Sequence, residues 1–237
     1  MVKKFNIKIF ADGADLLSIK KLNTNKLIGG FTTNPSLMRK AGIKNYKKFA
    51  KNLLKIVKTK PVSFEVFSDD IKEMEIQARE ISSWGRNAYV KIPITNTNSK
   101  STTGLIKKLT SEGIKCNITA VLTLTQVKSV FRAVDYKTNS ILSIFSGRIA
   151  DTGRDPVNFF KTSLKICKNK KNLKLLWAST REVYNLYQAE KIGAHIITVP
   201  YSILEKISLS NMNLKKLSLD TVKTFYNDAK KSKYNLN

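Results

Sequence analysis

Lys91 stands in NAYVKIPIT, residues 87–95, inside a run that otherwise reads as a β-strand buried on both faces. Tyr89, Val90, Ile92 and Ile94 give the run its apolar character, and Pro93 cuts it short. A buried ammonium is costly unless it is paired or gives up its proton. In a poorly solvated pocket a lysine amine becomes a nucleophile that forms a Schiff base with a ketone or aldehyde. Cleaving the neighbouring C–C bond by retro-aldol chemistry then needs a base for a hydroxyl proton, and Asp12 and Glu65 are the carboxylates available for it. Making and breaking the carbinolamine needs proton shuttling through water, which Glu65 and Thr119 could hold. Arg148 and Arg181 supply charge for an anion site, and Ser179, read as the start of a helix, adds a hydroxyl and N-terminal amides.

These residues need elements that bring them together. Eight short apolar runs recur along the chain: 5–11, 27–32, 61–67, 87–93, 115–121, 140–147, 173–179 and 195–200. Helical periodicity fills intervals between them, as in DDIKEMEIQAREISSW, KSTTGLIKKLTSEG, PVNFFKTSLKICKN and TREVYNLYQAEKIG. Gly113 and Gly193 suit helix C-caps before the next strand. Strict β-then-α alternation argues for a parallel sheet. Eight strands without a long polar linker fit a single α/β domain, residues 1–237, folded as a (β/α)8 TIM barrel, with a doubly wound open sheet as the alternative. An amphipathic helix over roughly 214–231 lies outside the eight units, placed to cap the barrel or to dock on a neighbouring subunit.

In such a barrel the chemistry sits at the C-terminal ends of the strands. Asp12, the TTNPS run (32–36), Glu65, Lys91, Asn117, Thr119, Ser143, Phe145, Arg148, Ser179 and Arg181 all fall there. Side chains two apart share a face. Asn117 therefore goes with Thr119, Ser143 with Phe145, and Lys91 with Tyr89, opposite Val90 and Ile92. If the Val90 face packs against helices, Lys91 points into the barrel.

Composition narrows the function classes. The chain has 237 residues, 42% of them hydrophobic, enough for one large domain. No run is long and apolar enough for a transmembrane helix, and the first residues lack the apolar core of a signal peptide, so a cytoplasmic protein is expected. Cys116 and Cys167 lack metal-ligand spacing and read as free thiols. With 43 Lys and Arg against 17 Asp and Glu, the formal charge is +26. Such a chain attracts anionic metabolites. The lysines are spread along the chain, densest in KKSK near the end and in CKNKKNLK (167–174), rather than gathered into one arm, which argues against a dedicated nucleic-acid partner. Joint abundance of Lys and Asn also fits a skewed genome composition.

The same residues form a family pattern. GGFTTNPSLM is similar to the TTNPSL signature of the transaldolase family, and YVKIPIT resembles its lysine motif. CNITAVLTLTQ, FSGRIADTG, WASTR and GAHIITVP resemble further segments in the family's order, over roughly residues 7–207. The resemblance is to the short bacterial and phage-type members, which include the fructose-6-phosphate aldolases. It implies that Lys91 is the Schiff-base lysine, that Asp12 is the acid/base, and that Glu65 and Thr119 bind the catalytic water. It implies that Thr33, Asn34, Asn117 and Ser143 bind substrate hydroxyls, and that Arg148, Ser179 and Arg181 hold the phosphate. It implies no cofactor and no metal, sugar-phosphate substrates, and a homo-oligomer, since short members commonly form pentamers paired into decamers. The fructose-6-phosphate aldolases carry glutamine where this chain has Glu65 and tyrosine where it has Phe145. Glutamate with phenylalanine is the transaldolase pairing, which favours dihydroxyacetone transfer between sugar phosphates over simple aldol cleavage. Gly13, Ile144 and Thr180 depart from the family pattern and touch loop shape and the phosphate end.

Other readings compete. The lone His195 begins strand eight, at the stability end of a barrel rather than the catalytic end. Asp15 suits a helix N-terminal turn. Asp151 either positions Arg148 or salt-bridges within its loop. Trp84 and Trp177 read as packing, as do Val183, Leu186 and Tyr187 at helical spacing. The rivals in function are a fructose-6-phosphate aldolase, an aldolase of surface-sugar synthesis, and a basic barrel that has lost catalysis and binds nucleic acid.

Overall fold

The computed structural model describes residues 5–234. Eight parallel strands close into a barrel in chain order. They are β1 (Lys8–Asp12), β2 (Ile28–Thr32), β3 (Val62–Glu65), β4 (Ala88–Pro93), β5 (Cys116–Val121), β6 (Ser140–Ile144), β7 (Leu173–Trp177) and β8 (Ile196–Pro200). The closed (β/α)8 arrangement is the expected one, and the open sheet is set aside. Around it run α1 (Leu16–Asn23), α2 (Pro35–Lys40), α3 (Tyr46–Ile56), α4 (Ile71–Ser83), α5 (Thr103–Ser111) and α6 (Leu124–Ala133). α7 (Ser146–Ala150), α8 (Pro156–Cys167), α9 (Tyr184–Lys191) and α10 (Tyr201–Glu205) follow, then a 3-10 turn, then α11 (Leu214–Ser232).

Strand alternation sorts the core into two parts. Val90 and Ile92 of β4, Ile118 of β5, Leu142 and Ile144 of β6, and Leu175 of β7 face outward and pack with the helices in the main apolar cluster. The inward positions are split by height. Phe10, Tyr89, Ile141, Leu176 and Ile196 form a separate apolar plug low in the lumen. Above it the inward positions are polar: Asp12, Lys91, Asn117, Thr119, Ser143 and Thr198. Lys91 thus alternates with Val90 and Ile92 and shares the inner face with Tyr89, as the spacing predicts.

Local signals set the helices. Asp15 caps α1, its carboxylate accepting the Ser18 amide at 2.8 Å, as expected of its position. Asn34 caps α2 through Leu37 N, with Pro35 at the first helical position. Gly113 and Gly193 follow α5 and α9 with φ of +84° and +73°, the left-handed turn that returns the chain to a strand. Trp177 is fully buried against Phe160, and Leu186 is core. Among the described residues no helix is long and apolar enough to cross a membrane.

α11 matches the helix expected over 214–231, but it buries none of its residues. Leu214, Leu217, Leu219, Val222, Phe225 and Tyr226 are all exposed along it. It does not cap the barrel.

Candidate active site

Register brings the chemistry together. β3 and β4 pair Glu65 with Lys91, β4 and β5 pair Lys91 with Asn117, and β1 and β2 pair Asp12 with Thr32. Lys91 is 7% exposed at the floor of the C-terminal mouth. Its Nζ lies 2.9 Å from Glu65 Oε2 and donates to the Thr33 carbonyl at 3.3 Å. A lysine this dry is held by a carboxylate and a carbonyl rather than by solvent. Glu65 is fixed in turn: Tyr46, on α3, donates its phenol hydroxyl to the Glu65 carbonyl at 2.8 Å and packs edge-on against Phe64.

Asp12 lines the same cavity from the end of β1. Its Oδ1 accepts the Thr32 hydroxyl at 2.7 Å, and Thr32 Oγ1 lies 2.5 Å from Thr198 Oγ1. With Thr32 donating to Asp12, the Thr198 hydroxyl donates to Thr32, giving a chain of hydroxyls that aims the carboxylate. Burial pushes the Asp12 carboxyl above the usual aspartate range. The Lys91 ammonium and the Thr32 hydrogen bond pull it back only in part, and the Glu65 carboxylate adds to the rise. A base poised higher than an ordinary aspartate is a stronger proton acceptor near neutrality.

Thr119 Oγ1 is buried with no hydrogen-bond partner among the described residues. Glu65 Oε2, close as it is to Lys91, makes no well-aimed hydrogen bond either. Buried hydroxyls are satisfied in nearly all proteins, so an orphaned one beside a buried amine points to a bound water or ligand atom.

Two adjoining cavities, of 210 and 540 Å³, meet over Asp12, Asn34, Lys91, Thr119, Phe145 and Arg148. Ser143, Ser179 and Arg181 line the smaller and Glu65 the larger. Arg148 is exposed, with its guanidinium 5.7 Å from the Phe145 ring centroid. Arg181 is held by Asp151, whose carboxylate accepts from Nε at 3.2 Å and also from Nη2. Asp151 therefore orients Arg181, not Arg148. The β6 and β7 ends press together: a Cβ at Gly147 would lie 1.6 Å from the Ser179 carbonyl oxygen. Ser179 adopts φ +63° and Ala120 φ +59°, a left-handed backbone that costs a non-glycine residue roughly 1 kcal/mol or more and clusters at functional sites.

Three expectations need correction. Thr33 is fully buried and its hydroxyl donates to the Ser63 carbonyl at 2.9 Å, so it lines neither cavity; Thr32, one residue earlier, faces the lumen. Asn117 is fully buried too. Its Nδ2 donates to Ser63 Oγ at 2.9 Å and its Oδ1 accepts from Ser143 at 2.7 Å, so it positions Ser143 from below. Ser179 does not open a helix: α9 begins at Tyr184, and the Arg181 and Glu182 amides donate to Asn185 Oδ1. These two amides are therefore not free to face the cavity. Thr32, Thr198, Ser63 and Tyr46 were not singled out in the sequence. The first two lie inside TTNPS and GAHIITVP and could have been found by carrying the strand alternation to the last residue; nothing marked Tyr46.

A family model described as Transaldolase/Fructose-6-phosphate aldolase matches residues 9–237. A protein of Nitrosopumilus maritimus named "Probable transaldolase" is 37% identical over 203 residues, covering 85% of this chain and 87% of its own. "Probable transaldolase 2" of Listeria monocytogenes is 33% identical over 202 residues, covering 85% and 88%. Among solved structures, 3-hexulose-6-phosphate synthase from Salmonella typhimurium superposes with a TM-score of 0.57 at 14% identity, over 84% of this chain and 91% of that one. A 2,3-dimethylmalate lyase superposes with a TM-score of 0.58 at 11% identity, over 91% and 84%. These two likenesses are of fold alone. The length of the family match and the identity to its named members establish that this chain belongs to the transaldolase/fructose-6-phosphate aldolase family, as an enzyme of that family.

Proposed function

We propose that the chain is a class I transaldolase that moves a dihydroxyacetone unit between sugar phosphates through a Schiff base on Lys91, as in pentose phosphate interconversion in the cytoplasm. The observation that carries this reading is a lysine amine buried between Glu65 and the Thr33 carbonyl, in a cavity shared with Asp12 and rimmed by Arg148 and Arg181.

In this reading the neutral amine attacks the ketose C2 carbonyl. Glu65 and Thr119 hold the water that relays protons as the carbinolamine loses its hydroxyl and becomes an iminium. Asp12 removes the proton of the hydroxyl beyond the scissile bond. That bond breaks, the aldose phosphate leaves as an aldehyde, and the electron pair settles in an enamine on Lys91. The enamine adds to the acceptor aldehyde, Asp12 returns its proton, and water releases the new ketose. Arg148 and Arg181, with Ser179, bind the phosphate; Asn34 and Ser143 meet substrate hydroxyls. Phe145 brings no hydroxyl to the cavity, which removes from that position a proton donor that could quench the enamine and free dihydroxyacetone before the acceptor arrives.

The test is product analysis with fructose 6-phosphate, with and without erythrose 4-phosphate. Sedoheptulose 7-phosphate forming much faster than free dihydroxyacetone supports transfer. Release of dihydroxyacetone at a rate indifferent to the acceptor would assign the aldolase reaction instead. We infer also that the exposed apolar face of α11 is covered by other copies of the chain in a homo-oligomer.

A further inference from the structure

At the end of the barrel opposite Lys91 the strands open a second cavity, of 650 Å³. Its floor is the underside of the apolar plug, with Phe10, Tyr89, Ile141 and Ile196. Its lip carries Lys8 from β1, Lys174 from β7 and His195 just before β8, three neighbouring strands. Lys8 alternates onto the same face as Phe10, and Lys174 onto that of Leu176. Both lysines thus take inward positions where a barrel usually places Val, Ile or Leu. Neither forms an ion pair among the described residues. Of the cavity's lining, only Glu190 is a carboxylate, and it already accepts from the Asn6 and Ile7 amides and the Asn6 side chain.

His195 is similarly committed on one side. Its Nδ1 accepts the Leu175 amide at 3.1 Å, so the neutral ring carries its proton on Nε2 and keeps one donor. Burial and the nearby Lys174 hold its pKa below the usual histidine range, which keeps that neutral form at pH 7. A smaller cavity of 310 Å³ shares His195 and Lys174 and adds Lys168 and Lys171. Lys168 and Lys171 of the CKNKKNLK run thus join Lys174 beside this mouth, while Lys170 turns its amine to the Phe131 and Val134 carbonyls.

An apolar, partly aromatic floor under unpaired cations suits one kind of ligand. We propose that the N-terminal mouth of the barrel binds a phosphate monoester carrying a flat ring, such as an aryl phosphate or a nucleoside monophosphate, with the ring against the half-buried Tyr89 and over the edges of Phe10 and Ile141, and the phosphate on Lys8, His195 and Lys174. The ring gains from leaving water, and the charge pairs with lysines that otherwise reach into solvent. The site is separated by the plug from the C-terminal mouth and does not depend on the reaction there.

The single histidine of the chain provides a reporter, one imidazole resonance set. Phenyl phosphate is titrated against histidine-labelled protein by NMR, with three controls. One is inorganic phosphate. The second is K8E/K174E, which alters two exposed side chains. The third is R148A/R181A, which removes the anion end of the other cavity. The expected result is a saturable shift of His195 in the wild type and in R148A/R181A. Affinity should fall about tenfold or more in K8E/K174E, and inorganic phosphate should bind about tenfold more weakly than phenyl phosphate. No saturable shift, equal affinity for inorganic phosphate, indifference to K8E/K174E, or loss of the shift in R148A/R181A each overturns the proposal. So does a short DNA duplex that shifts His195 where phenyl phosphate does not, which would make the lysines a polyanion surface.

Discussion

Asp12 and Thr119 separate chemistry from architecture at the scale of single residues. Burial raises the Asp12 carboxyl above the usual aspartate range, so its ionised form carries a cost in the folded chain. Below about pH 3.9 the residue is neutral in both folded and unfolded chains. As pH rises the unfolded chain ionises first, so stability is lost as pH climbs through the raised folded value. Asp12→Asn removes that cost while keeping an oxygen for Thr32. It should melt above the wild type at pH 8, with the gap closing in acid, and lose roughly 10²–10⁴-fold in kcat/KM. A variant within threefold of wild-type activity would remove Asp12 from the mechanism. Thr119→Val swaps an unpartnered buried hydroxyl for a methyl of the same shape, which is close to neutral for folding. Its melting temperature should stay near the wild type while kcat falls about tenfold or more; equal losses of both would mean the hydroxyl serves only packing. The four proposed catalytic residues were legible because each breaks a rule: a lysine in an apolar run, carboxylates at strand ends, a polar threonine two residues from Asn117 on one face of a strand. Which of Thr32 and Thr33 faces the lumen was not, because both suit the motif and the answer turns on one residue of register. The Ser63–Asn117–Ser143 network was hidden for a related reason, since a side chain that binds substrate and one that holds a binder look alike in sequence.

Elements act here through their ends. The sequence suggests a sixth strand running to Gly147, but β6 stops at Ile144 and the chain turns into α7 at Ser146. The apolar pattern continued through the turn because Phe145 and Ile149 still face packed surroundings. That turn sets Arg148 beside Ser179, and it depends on Gly147 having no Cβ. Gly147→Ala must push the Ser179 backbone away. We expect KM for the sugar phosphate to rise tenfold or more, with a smaller drop in kcat and a melting point lower by several degrees. An unchanged KM would mean the phosphate is not held at this junction. The eight strands themselves were readable from their regular recurrence and apolar content. The C-terminal ends of β2, β4, β5 and β8 were readable too, while β3, β6 and β7 stop two or three residues before their apolar pattern does, because apolar residues of the following loops continue it.

At the scale of the whole molecule, α11 is the feature a lone barrel does not explain. Its exposed Leu217, Val222 and Phe225 amount to an apolar face that none of the described residues covers. If other copies cover it, L217D/F225D should lower the mass measured by light scattering toward 26.8 kDa while leaving the barrel's far-UV spectrum intact. A wild type already at that mass would contradict the oligomer. The amphipathic pattern of this helix was legible in the sequence; its failure to reach the barrel was not, because periodicity shows that a face is apolar but not what it meets.

The most direct test of the account is a borohydride trap with fructose 6-phosphate, read by intact mass and by peptide mapping. The account predicts a reduced dihydroxyacetone adduct on Lys91 in the wild type and none in Lys91→Met. An adduct on another lysine, or turnover by Lys91→Met, would contradict it.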